Sequence, residues 1–281
     1  MNGINLERES PKHSLRWGKM NNTNNDNTAR RYKANVTIFG TTQLHLRNPY
    51  IIAWWSASFP GFGHLLLNKF LRGYLLLIWE VFINLKAKVN LAMIYSFQGK
   101  FELAKEIMNT RWILMYIPVY LFAIWDSYRT TVDMNHIYVL AEREDHRYNS
   151  FSLGPIEINY LDKRNPLMAV LWSLFIPGLG HLYIHRILMS FFLIFGLVVF
   201  FYNSHVLEAI TLLLVGKVAE STSVLKPEWL LFLPSFYCFS IYDSYVNTIE
   251  NNKLFEKEQR KYLKENYQNR NFQILKGTKV K

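Results

Sequence analysis

Charge and cysteine are scarce in this chain, and recognisable catalytic machinery is missing from it. Only 19% of the 281 residues are Asp, Glu, Lys or Arg, while 50% are hydrophobic and 16% aromatic; a soluble domain averages about a quarter charged. A single cysteine, Cys238, excludes an intrachain disulfide and reads as a small core residue within an apolar segment. There is no Gly-rich phosphate loop with a lysine, no His-Glu-x-x-His, and no Ser or Cys nucleophile in a familiar context. No enzyme, cofactor or metal site is therefore expected. Residues 1–47 lack any apolar stretch that would serve as a signal peptide, and Met20–Asn27 is mostly Asn, so this segment reads as a retained, disordered, basic tail.

What the chain does contain is one pattern stated twice. Trp-Ser-Ala-Ser-Phe-Pro-Gly-Phe-Gly-His-Leu at 55–65 recurs as Trp-Ser-Leu-Phe-Ile-Pro-Gly-Leu-Gly-His-Leu at 172–182, with seven of eleven positions identical. Asn48-Pro49 opens the first copy as Asn165-Pro166 opens the second, 117 positions on. Asp126-Ser127-Tyr128, Thr131 and Asn135 return at the same interval as Asp243-Ser244-Tyr245, Thr248 and Asn252. A fixed period over this length marks a duplicated structural unit.

Both copies occupy the most apolar parts of the chain. Leu65–Ile83, Trp112–Trp125, Leu167–Tyr183, Ile187–Tyr202 and Trp229–Tyr242 carry few charges, and a helix needs roughly 17–25 apolar residues to cross a bilayer, so these are short spans or parts of spans. The expected fold is all-α: a polytopic helical membrane protein made of two repeated modules. Its expected divisions are the tail 1–47, copy one at 48–135, a polar linker at 136–164, copy two at 165–252, and a basic, partly helical tail at 253–281.

Each copy divides into three apolar pieces: Tyr50–Leu67, Phe70–Leu85 and Trp112–Tyr128, then Leu167–Ile184, Ile187–Tyr202 and Trp229–Tyr245. The intervening stretches 86–111 and 203–228 suit a membrane surface. Pro60-Gly61 and Pro177-Gly178 break the first piece of each copy. If that piece crosses, each copy has three spans and the copies are inverted, as in many transporters. If it dips in and returns, each has two spans and the copies are parallel. The position of the break, which leaves arms too short to cross alone, favours the parallel form.

A formal net charge of +11 places eight Lys/Arg in the first 47 residues and nine in 253–281. The positive-inside rule accounts for them with both termini cytosolic, beside anionic lipid, and without a nucleic-acid partner.

The turn Pro177-Gly178-Leu179-Gly180-His181-Leu182-Tyr183, followed by a basic residue and an apolar helix, resembles small multi-pass membrane proteins built on a Pro-Gly-x-Gly-His-x-Tyr turn. These are similar to the two-transmembrane domain family, whose helix pair carries a Gly-rich turn and an Asp near the end of the second helix. Asp126 and Asp243 would be that residue. The resemblance covers 48–135 and 165–252, with Leu66 in place of the tyrosine in copy one and Ser190 in place of Gly73 in copy two. It implies a helical membrane module and no settled activity.

The candidate site is a polar cluster in apolar surroundings: His64, Asp126, His181, Asp243 and Glu80, with Pro60, Gly61, Gly63, Pro177, Gly178 and Gly180 forming the turns. His64 precedes Asp126 by 62 residues, and His181 precedes Asp243 by the same 62, so each pair is expected to meet. Three roles suit the histidines: satisfying exposed turn carbonyls, handling protons, or binding metal, for which one histidine per copy is a poor signature. Glu80, near the middle of an apolar piece where copy two has Leu197, must be protonated, paired or hydrated. Trp54, Trp55, Trp112, Trp125, Trp172, Trp229 and Tyr242 read as interfacial anchors. Two functions fit: a non-enzymatic scaffold, accessory subunit or assembly factor with a membrane-protein partner, or a transporter or ion conductor using the intramembrane carboxylates.

Overall fold

Helices make up most of the chain, and two short β-hairpins precede them at matching places. The computed structural model describes residues 30–145 and 148–268, and the described residues from Arg31 onward form one compact unit. The first hairpin pairs β1 (Ala34–Thr37) with β2 (Gly40–Gln43), Ala34 opposite Gln43. There follow α1 (Pro49–Ser58), α2 (Phe62–Leu66), α3 (Phe70–Ala87), α4 (Val89–Phe97), α5 (Phe101–Ile107) and α6 (Thr110–Glu144). The second hairpin pairs β3 (Phe151–Leu153) with β4 (Ile158–Tyr160), and α7 (Pro166–Phe175), α8 (Leu179–Tyr183), α9 (Ile187–Ser204), α10 (Val206–Leu214) and α11 (Val218–Val224) succeed it. Each of α7 to α11 starts 117 residues after its counterpart among α1 to α5. In place of α6 the second half has α12 (Pro227–Leu230) and α13 (Phe232–Asn266).

Local chemistry starts and stops the first helix of each half. The Asn48 side chain accepts from the Tyr50 amide at 2.9 Å and Asn165 accepts from Leu167 at 2.9 Å, while Pro49 and Pro166 fill the first helical turn. These are the capping oxygen and preset φ that favour helix initiation. At the other end, Phe59 and Ile176 are extended, as residues before proline prefer, and Gly61 and Gly178 take φ of +105° and +109°. The chain then turns back.

That reversal is visible in the partners along α6. Arg47 lies beside Asn135, Tyr50 beside Tyr128 and Ala57 beside Tyr120, so α1 runs antiparallel to α6; α2 then returns until His64 meets Asp126. Helix α3 runs antiparallel to α6 as well, with Arg72 at Asp126, Glu80 at Tyr116 and Phe82 at Trp112. Its 18 residues cover about 27 Å.

An aromatic core joins the two halves. Phe62 stacks on Phe239 at 4.1 Å and on Phe59 at 4.7 Å, Phe200 stacks on Phe232 at 5.4 Å, and Tyr74 stacks on Phe192 at 4.2 Å. Trp55, Trp229 and Tyr242 belong to this interior, against Phe239, Phe200 and Trp55 respectively, rather than to an interfacial belt. Trp54, Trp125 and Trp172 stand exposed.

Several boundaries differ from the sequence reading. Within 1–47, residues 34–43 form a hairpin with Ala34 and Val36 buried, not part of a disordered tail; residues 1–29 lie outside the described part. The supposed linker 136–164 contains the last turns of α6 and the β3–β4 hairpin, which bonds to the first through Asn159 Nδ2 and the Thr37 carbonyl at 2.7 Å. Helix α13 runs unbroken past residue 252 to Asn266 and pairs with the end of α6 through Lys257–Glu142 and Lys261–Asp145, so this stretch has a protein partner of its own. Cys238 is exposed on α13, not in the core.

The outer faces of α3 and α9 are apolar. Leu71, Leu75, Ile78 and Phe82 form an exposed stripe on α3, and Leu188, Phe191, Phe195, Val198 and Tyr202 form one on α9, at the three-to-four spacing that a water-soluble helix turns inward. Among the described residues, α9 alone is long and apolar enough to cross a membrane, with α5 and α6 together qualifying only as a pair bent by 90°. Arg72, Glu80 and Lys86 interrupt α3, which has the same length.

Candidate functional site

The two glycines of the Pro-Gly-x-Gly-His turn do different work. The first supplies the positive φ; a Cβ there would sit 2.5 Å from the Gly73 carbonyl in copy one and 2.7 Å from the Ser190 carbonyl in copy two. The second has ordinary helical geometry but lets α2 touch α1, because a Cβ on Gly63 would strike Ser56 Oγ and the Ile52 carbonyl, and one on Gly180 would strike Ser173 Oγ and the Ala169 carbonyl. Small residues at such crossings allow close backbone approach. The Ser190 that departs from the repeat has a local reason as well: its hydroxyl donates to the Gly178 carbonyl at 2.8 Å. Because that carbonyl also accepts from the Leu182 amide at 2.9 Å, Ser190→Ala should destabilise the detergent-solubilised protein in denaturant titration by only about 0.5–1.5 kcal/mol, the net worth of one hydrogen bond; a loss of several kcal/mol would mean the hydroxyl holds the turn in some further way.

This close approach brings histidine and aspartate together in both halves. His64 Nε2 lies 2.9 Å from Asp126 Oδ2, and His181 Nε2 lies 2.9 Å from Asp243 Oδ2. An arginine completes each set: Arg72 Nη1 donates to Asp126 at 2.6 Å, and Arg186 Nη1 to Asp243 at 2.6 Å. The two sets differ in exposure. The Asp243 and Arg186 side chains are 0% and 5% exposed, whereas Asp126 and Arg72 are 14% and 52% exposed. Asn247, one helical turn beyond Asp243, donates to its other oxygen at 2.6 Å. Arg186 Nη2 reaches across to Asn68 Oδ1 at 2.7 Å, which ties copy two to the turn of copy one.

Neither histidine satisfies a turn carbonyl. A carboxylate held by arginine can only accept, so Nε2 carries the hydrogen, and Nδ1 is buried without a partner in both rings. The hydrogen bond fixes each ring against its aspartate. Among the described residues no group of three or more His, Cys, Asp or Glu is arranged to hold a metal.

Glu80 stands apart from these sets. It is buried, with Oε1 accepting from Asn84 Nδ2 at 3.2 Å and from Tyr116 Oη at 3.3 Å, while Oε2 has no partner among the described residues. Asn84 also donates to Asn90 Oδ1 at 3.1 Å, and Asn90 donates to the Glu228 carbonyl at 2.8 Å.

Other repeated residues turn out to be clamps. Asn135 accepts from the Arg47 amide and donates to its carbonyl, at 3.0 and 2.8 Å; Asn252 does the same for Arg164 at 2.9 and 2.7 Å. The residues that sequence reasoning missed are Arg72, Asn68, Asn247 and Tyr116, and Arg186 was noticed only as a charge. Asn247 was within reach, since it lies four residues after Asp243 on the same helix face. Arg72 was not, because its counterpart is Met189 and the repeat gives no signal there. Comparison with protein-family models, curated proteins and solved structures finds no match for this chain.

Proposed function

We propose that the chain is a multi-pass integral membrane protein made of two copies of one helical module and acting as a non-enzymatic scaffold, accessory subunit or assembly factor. One observation carries the reading: several helices are apolar on the outside as well as the inside, while many hydrogen-bonding side chains are buried between them. Ser56, His64, Asn84, Ser127, Thr131, Ser173, His181, Asp243 and Thr248 are buried, while Leu, Ile, Phe and Trp side chains cover the outside of α3, α6, α7 and α9. Soluble monomers rarely expose contiguous apolar patches beyond a few hundred Å². In hydrocarbon, by contrast, buried hydrogen-bonding residues hold helices together. The resemblance to the two-transmembrane domain family points the same way. Each first piece is a re-entrant pair, the copies are parallel, and both hairpins share the cytosolic side with the ends of α6 and α13.

The scaffold reading is favoured by the aromatic filling between the halves. The protein should stay in the pellet after alkaline carbonate extraction, and release into the supernatant would sink the membrane reading. A cysteine placed at Asn149 in a Cys238→Ala background should resist an impermeant thiol reagent in intact cells; labelling there would establish inverted copies.

A transport reading has one observation behind it, the partnerless Oε2 of Glu80 inside a buried polar network. Ion or proton flux into proteoliposomes that Glu80→Gln abolishes would replace the scaffold with a transporter. Silence in that assay, with a reproducible membrane partner on affinity purification, is the outcome expected.

A further inference from the structure

The two copies treat one arginine in opposite ways. In copy two, Arg164 is paired: its Nε donates to both oxygens of Asp162 at 2.8 and 2.9 Å, and its guanidinium lies 5.4 Å from the centre of the Tyr183 ring. The equivalent arginine 117 residues earlier is Arg47. At the positions of Asp162 and Tyr183, copy one has His45 and Leu66. Both partners are gone, and among the described residues nothing bonds or pairs with the Arg47 guanidinium, although its backbone is clamped just as that of Arg164 is.

A cavity of about 130 Å³ stands where those partners would be. Arg47, His45 and Leu66 line it, together with Ile51, Ile52 and Asp243. One water requires only about 10–15 Å³ measured this way, so the space is far larger than a single solvent site. His45 Nδ1 is buried without a partner among the described residues. The facing carboxylates are already committed: Asp243 to His181, Arg186 and Asn247, and Glu250 to Lys253. Among the described residues the Arg47 guanidinium makes no hydrogen bond or close ion pair. Burial pulls it down to about 10 against the Asp243 and Glu250 charges, which act from a distance to raise it, and burial followed by the Arg47 and Lys253 charges holds His45 at about 3. A larger opening of about 400 Å³ adjoins the cavity through His45 and Glu250; its wall mixes Lys33, Lys253, Lys257 and Arg260 with Glu142, Glu250 and Glu256, and Lys33, Lys253 and Lys257 are paired to those carboxylates.

We infer that this cavity binds the oxyanion head of an anionic amphiphile, the carboxylate or phosphate taking the place that Asp162 fills in copy two and the chain leaving past Ile51, Ile52 and Leu66. Guanidinium pairs bidentately with either head. The apolar walls favour an amphiphile over a free ion. The membrane reading supplies only the source of the ligand, so the site is tested on the full-length protein in neutral detergent.

Dioctanoylphosphatidate and laurate should each raise the unfolding midpoint in a saturable way, with dioctanoylphosphatidylcholine giving no shift and inorganic phosphate a much weaker one. Arg47→Gln should weaken phosphatidate binding about tenfold or more, the usual worth of a charged hydrogen bond. His45→Asp builds in the missing carboxylate, so it should stabilise the ligand-free protein and weaken binding to a similar degree. Unchanged affinity in either folded variant would overturn the site. Phosphate binding as tightly as phosphatidate would overturn the amphiphile, as would an equal response to the neutral lipid. Should Arg47→Gln fail to fold, His45→Asp decides alone. Release of the protein by carbonate alongside intact phosphatidate binding would sink the membrane reading and leave the site standing.

Discussion

Replacing Asp243 by alanine is expected to cost about 3–5 kcal/mol of stability in detergent, the range for breaking a buried ion pair by removing one partner. The substitution strands Arg186 and His181, both buried, and strips Asn247 of an acceptor. Asp126→Ala provides the internal comparison. Arg72 is half exposed and water reaches it, so that pair is screened and its loss should approach the roughly 1 kcal/mol of a surface pair, with a further contribution from buried His64. Denaturant titration of the two variants should therefore separate them by several-fold. The double change His181→Ala, Asp243→Ala should cost clearly less than the two single losses together, since each single change damages the same contact. Equal losses at Asp126 and Asp243 would show that burial does not set the cost; additive losses would show that histidine and aspartate act independently.

Gly180→Ala tests the closeness of α7 and α8 with the opposite sign of intuition. In an isolated helix the change to alanine gains about 1 kcal/mol. Here the added Cβ meets the Ala169 carbonyl and Ser173 Oγ, and a backbone carbonyl cannot swing away as a long side chain would. A net loss near the upper end of the about 1–3 kcal/mol typical of overpacking is expected. Gly99→Ala is the control: its φ of +75° is unfavourable for alanine, but nothing lies within 4 Å, so about 1–2 kcal/mol is the most it should lose. A Gly180→Ala protein as stable as the parent would mean the helices separate freely at this crossing.

The turns were legible in the sequence because their constraint is local: a residue before proline is extended, and a φ above +100° leaves little choice but glycine. The His–Asp pairing was legible for a different reason, its recurrence at one separation in both copies. The hairpins were not. Ala34–Gln43 is short and mostly polar, and the second hairpin and the ends of α6 and α13 hold it in place through contacts such as Asn159 to Thr37 and Gln43 to Asn251, more than 100 residues apart. The arginines escaped for a third reason. Position 69 holds Lys and position 186 holds Arg, but in copy one the aspartate is reached by Arg72 from the next turn, so the same charge pair is built from non-equivalent positions. Trp55, Trp229 and Tyr242 misled because an aromatic at a span end looks the same whether it faces lipid or a second copy.

The contact from Arg186 to Asn68 has no mirror image. The positions that would make it in the other direction are Lys69, which is exposed, and His185, which instead meets the Ile38 carbonyl at 3.1 Å. Two identical chains around a two-fold axis are obliged to make every contact twice, so any residue tuned for one side is imposed on the other. A single chain carrying both copies is free of that obligation. One half holds a sealed charge cluster and a self-satisfied arginine; the other keeps its cluster open to water and its arginine unclaimed. Covalent linkage fixes which half is which, an asymmetry that no pair of identical subunits around a two-fold axis could hold.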